Sequence, residues 1–189
     1  MNLTEKIVKH IALVSKHRWI VFKYAVKAGI PWRGLLHDLS KFSPTEFFES
    51  IKYYNGKRSP LHECREQIGY SKAWLHHKGR NKHHFEYWED MSKSKRFGVF
   101  LPYKYIVEAV CDKISAGMVY AGDKWNQREP YEYWTNVEKK APVEKHPGSI
   151  EFMDIVTKKI ADEGLDSAIN RKYLKQLYKE IADKYNIKI

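Results

Sequence analysis

Cysteine is scarce in this chain. Cys64 and Cys111 stand alone, too few for a disulfide framework or a zinc knuckle, as expected of a protein in a reducing compartment. Apolar runs are short as well. None reaches the ~18 residues that a membrane-crossing helix needs, so no membrane partner is expected. The opening stretch MNLTEKIVKH lacks a charged-then-apolar leader and a small-residue cleavage site, which points to the cytoplasm. Basic residues never gather into a block of five, which argues against a dedicated nucleic-acid tail. Strand-like alternation, internal repeats and low-complexity segments are also missing.

What is present describes a folded, basic, helical protein. At 189 residues the chain is large enough for one domain with a proper core, and 43% hydrophobic with 14% aromatic residues excludes a disordered tail. Thirty-four Lys and Arg against 23 Asp and Glu leave a net charge of +11. Such an excess favours phosphates, nucleotides or nucleic acid as partners, although a soluble basic surface without any partner carries the same charge.

Helix punctuation recurs along the chain. In LTEKIVKHIALVSKHRWIVFKYAVKAG, Ile7, Ile11 and Val14 share a face, and Gly29 followed by Pro31 ends the helix. SPTEFFESIKYYNG has Ser43 as cap, Pro44 at the first helical position and Glu46 to close a capping box. YSKAWLHHKG reads as a helix capped by Ser71 with Gly79 after its last turn. LPYKYIVEAVCDKISAGMVYAG carries Ile106, Val110 and Ile114 on one stripe, and Pro130 can open a short helix. After the turn EKHPGS, the ladder Ile169, Tyr173, Leu177, Ile181, Tyr185 closes a helical pair. The expectation is an all-α fold of about seven or eight helices, with residues 1–145 as the main body and 149–189 as a C-terminal helical hairpin packed on it.

Nine histidines are many for this length, and they are unevenly placed. His10 and His17 are seven apart and share a helix face. His37 precedes Asp38, and the doublets His76-His77 and His83-His84 bracket KGRNK. Imidazoles and carboxylates without cysteine suit Mn, Fe, Co, Ni or Zn in a non-structural site, one ion or two. A carboxylate beside a histidine can bridge two ions while the histidine binds one, a physical reason to put His-Asp in a turn lining the core. His10 reads as an ordinary helix residue, His62 as solvated or ligating, and His146 as a turn residue.

His17, then His37-Asp38, then further histidines, then Asp112 in YIVEAVCDKISAG resembles the HD-domain superfamily. HDLSK is similar to the HDIGK of its HD-GYP branch, although no GYP follows. NKHHFEYW also resembles a family of small bacterial and phage proteins with an HD-like core. The resemblance covers roughly residues 10 to 125, and implies an all-α metalloprotein, chiefly of the phosphohydrolase kind. It implies that His17, His37, Asp38 and Asp112 hold a first metal. Asp38 would then bridge to a second metal held by His77 and one or both of His83 and His84.

On that reading a metal would lower the pKa of bound water, with Asp38 and Lys41 at the reacting centre and Lys41 facing an anionic oxygen. Arg33, Arg80 and Lys82 are candidates for gripping the phosphate of a nucleotide or other phosphorylated small molecule, with Asn81 as a supporting donor. Tyr87, Trp88, Tyr103 and Tyr105 can stack a base or fill the core. Two alternatives share the sequence: a di-iron oxygenase of the HD type, and a non-catalytic basic module that binds nucleic acid.

Overall fold

The computed structural model describes residues 1–188 and is all-α apart from one small hairpin. The long helix α1 spans Leu3–Lys27, with Asn2 and Glu5 forming a reciprocal capping box at its start. Gly29 ends it as expected, in the left-handed region at φ +78°. The short helix α2, Pro31–Leu36, folds back onto α1. Gly34 makes that crossing possible: a Cβ there would meet the Ala25 Cβ at 2.5 Å and the Phe22 Cα at 3.0 Å.

A 3₁₀ turn, Leu39–Phe42, leads into α3, Pro44–Tyr53. The Ser43 side chain caps α3 by accepting from the Glu46 amide, but the capping box is only half formed, because the Glu46 carboxylate is held by histidines. Helix α4 spans Pro60–Ile68 and α5 spans Lys72–Arg80. Gly79 therefore lies within the last turn of α5, not after it. A two-stranded antiparallel ribbon follows, β1 at Glu89–Ser92 and β2 at Lys95–Gly98. Alternation could not reveal it, since both strands are mostly exposed; the signal is the turn, where Lys93 and Ser94 both take positive φ.

Helix α6, Tyr103–Ala121, is the central rod. Ile106, Val110 and Ile114 are buried as their spacing predicts, and so are Val107, Ala109 and Cys111 around them. Pro130 lies in the first turn of α7, Glu129–Tyr133, which runs on as a π-helical turn over Trp134–Glu138. The last helices are α8 at Pro147–Glu163, a single turn α9 at Leu165–Ala168, and α10 at Arg171–Lys184. Ile169 precedes α10 instead of belonging to it, and the buried face of α10 is Leu174, Leu177, Tyr178, Ile181 and Ala182.

One apolar core joins these elements, from Val21 and Ala25 of α1 through α6 to Phe152, Val156 and Ile160 of α8 and Leu174 and Ile181 of α10. Each fully buried Ile or Leu stabilises the fold by roughly 1.5–3 kcal/mol. The terminal hairpin thus shares its core with the main body. That core occupies the C-terminal half of α1. In the other half the inward face is His10, Val14 and His17, while Ile11 is exposed, contrary to the expected apolar stripe.

Candidate metal centre

Four elements bring the predicted ligands together. α1 supplies His17, the α2 C-terminus supplies His37 and Asp38, α6 supplies Asp112, and α5 with the turn after it supplies His77, His83 and His84. The His37-Asp38 turn works because Asp38 adopts a left-handed conformation at φ 51°, uncommon outside glycine and tolerated best by Asp and Asn. That twist lets adjacent side chains both enter the interior, where His37 and Asp38 are almost wholly buried.

Asp38 divides its two oxygens between two groups. Its Oδ2 lies 3.4 Å from His37 Nε2 and 4.0 Å from His17 Nε2. Asp112 Oδ1 closes this set, 3.1 Å from His17 Nε2 and 3.6 Å from His37 Nε2. Asp38 Oδ1 lies 3.4 Å from His77 Nε2 and 3.7 Å from His83 Nε2, with His84 completing the second set. Within each set the ligand atoms all lie within 4.8 Å of one another. Ligands ~2.0–2.2 Å from a shared tetrahedral ion would stand about 3.3–3.6 Å apart, so the sets would close by about 1 Å at their widest around an ion.

Two glutamates outside the predicted ligand set orient the imidazoles. Glu108 Oε1 lies 3.0 Å from His37 Nδ1 and 3.4 Å from His83 Nδ1. Glu46 accepts from His77 Nδ1 at 2.7 Å and from His76 Nδ1 at 2.6 Å. Carboxylates on Nδ1 turn Nε2 inward as the ligand atom, the usual outer partnership of metal-bound histidine. His37, His83 and Glu108 also lie close enough to hold an ion. Glu108 is already engaged, however, by His37 and by a two-pronged Arg33 contact at 2.8 and 2.9 Å, so it reads as a support. A charged residue four before Asp112 on a buried helix face was the sequence signal for Glu108; Glu46 was disguised as a cap.

The electrostatics are those of a site organised for cations. Burial alone would raise the Asp38 carboxyl, yet His37, Lys41, His77 and His83 hold it well below the usual carboxylate range. Asp112 is held low against burial by His17 and His37. Glu108 falls to about 2, its burial outweighed by the hydrogen bond from His37 and by the His83 imidazole 3.4 Å away. Burial also works against protonation of His37, but Asp38, Asp112 and Glu108 overcome it and push that imidazole up to about 10. Burial keeps His17 low, and His84 lies well below the imidazole range.

The residues fit a metal on a separate ground. Asp38 Oδ1, His83 Nε2 and His84 Nε2 are buried atoms with no hydrogen-bond partner. Orphaned acceptors that converge at this distance carry a desolvation cost that a cation would relieve. Buried His and Asp groups are thus positioned to hold a metal ion.

A cavity of about 190 Å³ opens beside the cluster, lined by His17, Asp38, Lys41, His77, His84 and Asp112 at one side and by His10, Leu13, Trp74, Leu61 and Tyr120 elsewhere. Lys41 Nζ sits 2.7 Å from Asp38 Oδ2 and is the only cationic Lys or Arg lining this cavity. The other expected phosphate ligands are not there. Arg33 is taken by Glu108, Arg80 is exposed elsewhere, and Lys82 lies over the rings of Tyr87 and Tyr105. Asn81 does serve as a support, its amide nitrogen 2.7 Å from Ser40 Oγ and 2.9 Å from the His77 carbonyl. Tyr87, Trp88, Tyr103 and Tyr105 do not line the cavity; Trp88 and Tyr103 pack against the core. His10, expected to be an ordinary helix residue, is a buried wall of the cavity.

No helix among the described residues is long and apolar enough to cross a membrane. Comparison with curated proteins finds no match, and none is found among solved structures. A family model does match, over residues 6–161, which include every residue of both ligand sets. This helical chain with its buried histidine–carboxylate cluster belongs to the family described as DUF5662, a family of unknown function.

Proposed function

We propose that the protein is a metal-dependent phosphohydrolase that cleaves a phosphate ester at the His/Asp cluster with one or two divalent transition-metal ions. One observation carries the reading: Asp38 presents separate oxygens to two sets of imidazoles, with His37 steered by the buried Glu108 and His77 by the buried Glu46. The resemblance of His17, His37-Asp38 and Asp112 to the HD-domain pattern supports it.

Ions bound in such a site supply a nucleophile at neutral pH and Lewis acidity toward phosphoryl oxygens. The chain's own residues do the rest. Glu108 and Glu46 hold the His37 and His77 rings in one tautomer, Nδ1–H outward and the Nε2 lone pair inward. Arg33 fixes Glu108 in turn. Lys41, tethered to Asp38 at the cavity wall, is the cation available to a phosphoryl oxygen when Asp38 turns to a metal. Leu13, Val14, Pro60 and Leu61 screen the reacting end from bulk water.

The test compares wild type with Asp38→Ala, both purified without added metal. Wild type is expected to retain one or two equivalents of Mn, Fe, Co, Ni or Zn and to hydrolyse phosphomonoesters or diesters; the variant should lose both. Equal metal content in the two proteins sinks the assignment. Two irons with a visible absorption band and no hydrolysis would favour the di-iron oxygenase instead.

A further inference from the structure

His10 is the buried polar group that the cluster does not use. It lies on the inward face of α1, seven residues before His17, so the two positions are roughly 10 Å apart along the helix axis. Only 4% of it is exposed, neither ring nitrogen has a hydrogen-bond partner, and both residues line the same cavity. Phe47 and Tyr54 clamp its ring edge-on, with centroids 5.9 and 5.7 Å away. An imidazole left without partners in the wall of a cavity carries an uncompensated desolvation cost. Such a cost is retained where a ligand supplies the missing bonds.

The rest of the cavity restricts that ligand. Its volume of about 190 Å³ falls below the ~300–1,000 Å³ of pockets for drug-sized ligands. Lys41 is its only ammonium or guanidinium group, and Asp38 already engages it. Leu13 and Val14 lie between His10 and His17 in the helix and line the space with Pro60, Leu61 and Val119. There is charge to receive one phosphoryl group at the cluster, a largely apolar wall beyond it that also carries Ser50, Ser59 and Tyr120, and an imidazole without partners two turns along α1.

We propose that His10 is a specificity residue that receives the uncharged polar end of a small phosphate monoester whose phosphoryl group lies at the cluster. This assignment rests on the phosphohydrolase reading and narrows it: polyphosphates and nucleic acid are excluded as preferred substrates. Imidazole Nδ1 and Nε2 offer one donor and one acceptor, which matches a hydroxyl, a carbonyl or a carboxamide.

The test uses the full chain, metal-loaded, with n-butyl phosphate, 4-hydroxybutyl phosphate and a nucleoside triphosphate. Wild type should show a KM about five- to tenfold lower for the hydroxyl-bearing ester than for the alkyl ester, the worth of one hydrogen bond. His10→Phe should abolish that ratio, and His10→Asn, which keeps a donor and an acceptor, should restore part of it. Calorimetry with butylphosphonate and 4-hydroxybutylphosphonate reads the same preference without turnover. Without metal or ligand, His10→Phe should melt higher than wild type, since it removes an unsatisfied buried group. An unchanged ratio in His10→Phe, a lower melting temperature for it, or a preference for the triphosphate overturns the role of His10 and leaves the hydrolase standing. Failure to cleave any of the three with any metal overturns the hydrolase reading and this one with it.

Discussion

His17 Nε2 and His37 Nε2 face each other across 3.2 Å, from residues twenty apart in sequence and on different helices. With His37 Nδ1 committed to Glu108, this short contact needs a hydrogen on one of the two facing nitrogens. In the protein alone that role falls to a proton on His37, whose affinity for it rises to about 10 among Asp38, Asp112 and Glu108.

Metal loading must therefore expel that proton, and affinity should weaken as acidity rises. The His37 value lies above the working range, so between pH 6 and 9 the proton is present before loading and absent after it. His17 and His84 are shifted downward and add nothing to this slope. Affinity for Zn or Mn should climb about tenfold per pH unit for the single proton released. Competition with a chelating dye at pH 6, 7, 8 and 9 measures it; a flat profile would remove His37 from the ligand set.

Glu108→Gln should weaken metal binding by about 10- to 100-fold while leaving every direct ligand in place, because the Nδ1 anchor of His37 is lost. Glu46→Gln should do the same through His77. Dialysis against graded chelator, followed by metal analysis, separates these variants from wild type.

Arg33→Ala should act on stability, not on substrate affinity. Glu108 is wholly buried and would keep its charge while losing its guanidinium partner, a loss of about 3 kcal/mol. Urea unfolding of the metal-free protein measures this; a raised KM with unchanged stability would instead return Arg33 to the substrate.

Gly34→Ala places a methyl 2.5 Å from the Ala25 Cβ and should cost about 1–3 kcal/mol. Because α2 carries His37 and Asp38 at its end, metal retention should fall as well. Ala25→Gly in the same chain relieves the contact and should recover part of both losses, read by thermal melts and metal content.

Saturating metal should raise the melting temperature. A free concentration a hundredfold above Kd adds about 2.7 kcal/mol, or roughly 5–10 °C for a chain this size. Asp38→Ala should show no such response.

Helix type was legible wherever punctuation was strong: Gly29 after α1, Ser43-Pro44 before α3, and the Ile106, Val110, Ile114 stripe of α6. Hydrophobic periodicity found only part of the inward face in the first turns of α1: Val14 is buried as its spacing predicts, but its inward neighbours are His10 and His17 and the apolar Ile11 is left outside. The residues that converge in the cluster were readable as a pattern of residue types in order. Their supports were not, since Glu46 and Glu108 depend on which helices touch, and a cap and a helical glutamate look alike on paper. The engagement of Arg33 with Glu108 was hidden for the same reason: a free cation and a buried partner share one letter.

The apolar core holds the C-terminal half of α1, and the imidazoles occupy the other half. A single rigid rod therefore divides the molecule into a part that packs the fold and a part that gathers the imidazoles and carboxylates. Substitutions around Leu13 or Leu61 can reshape what the cavity admits without touching the anchorage near Val21 and Ala25.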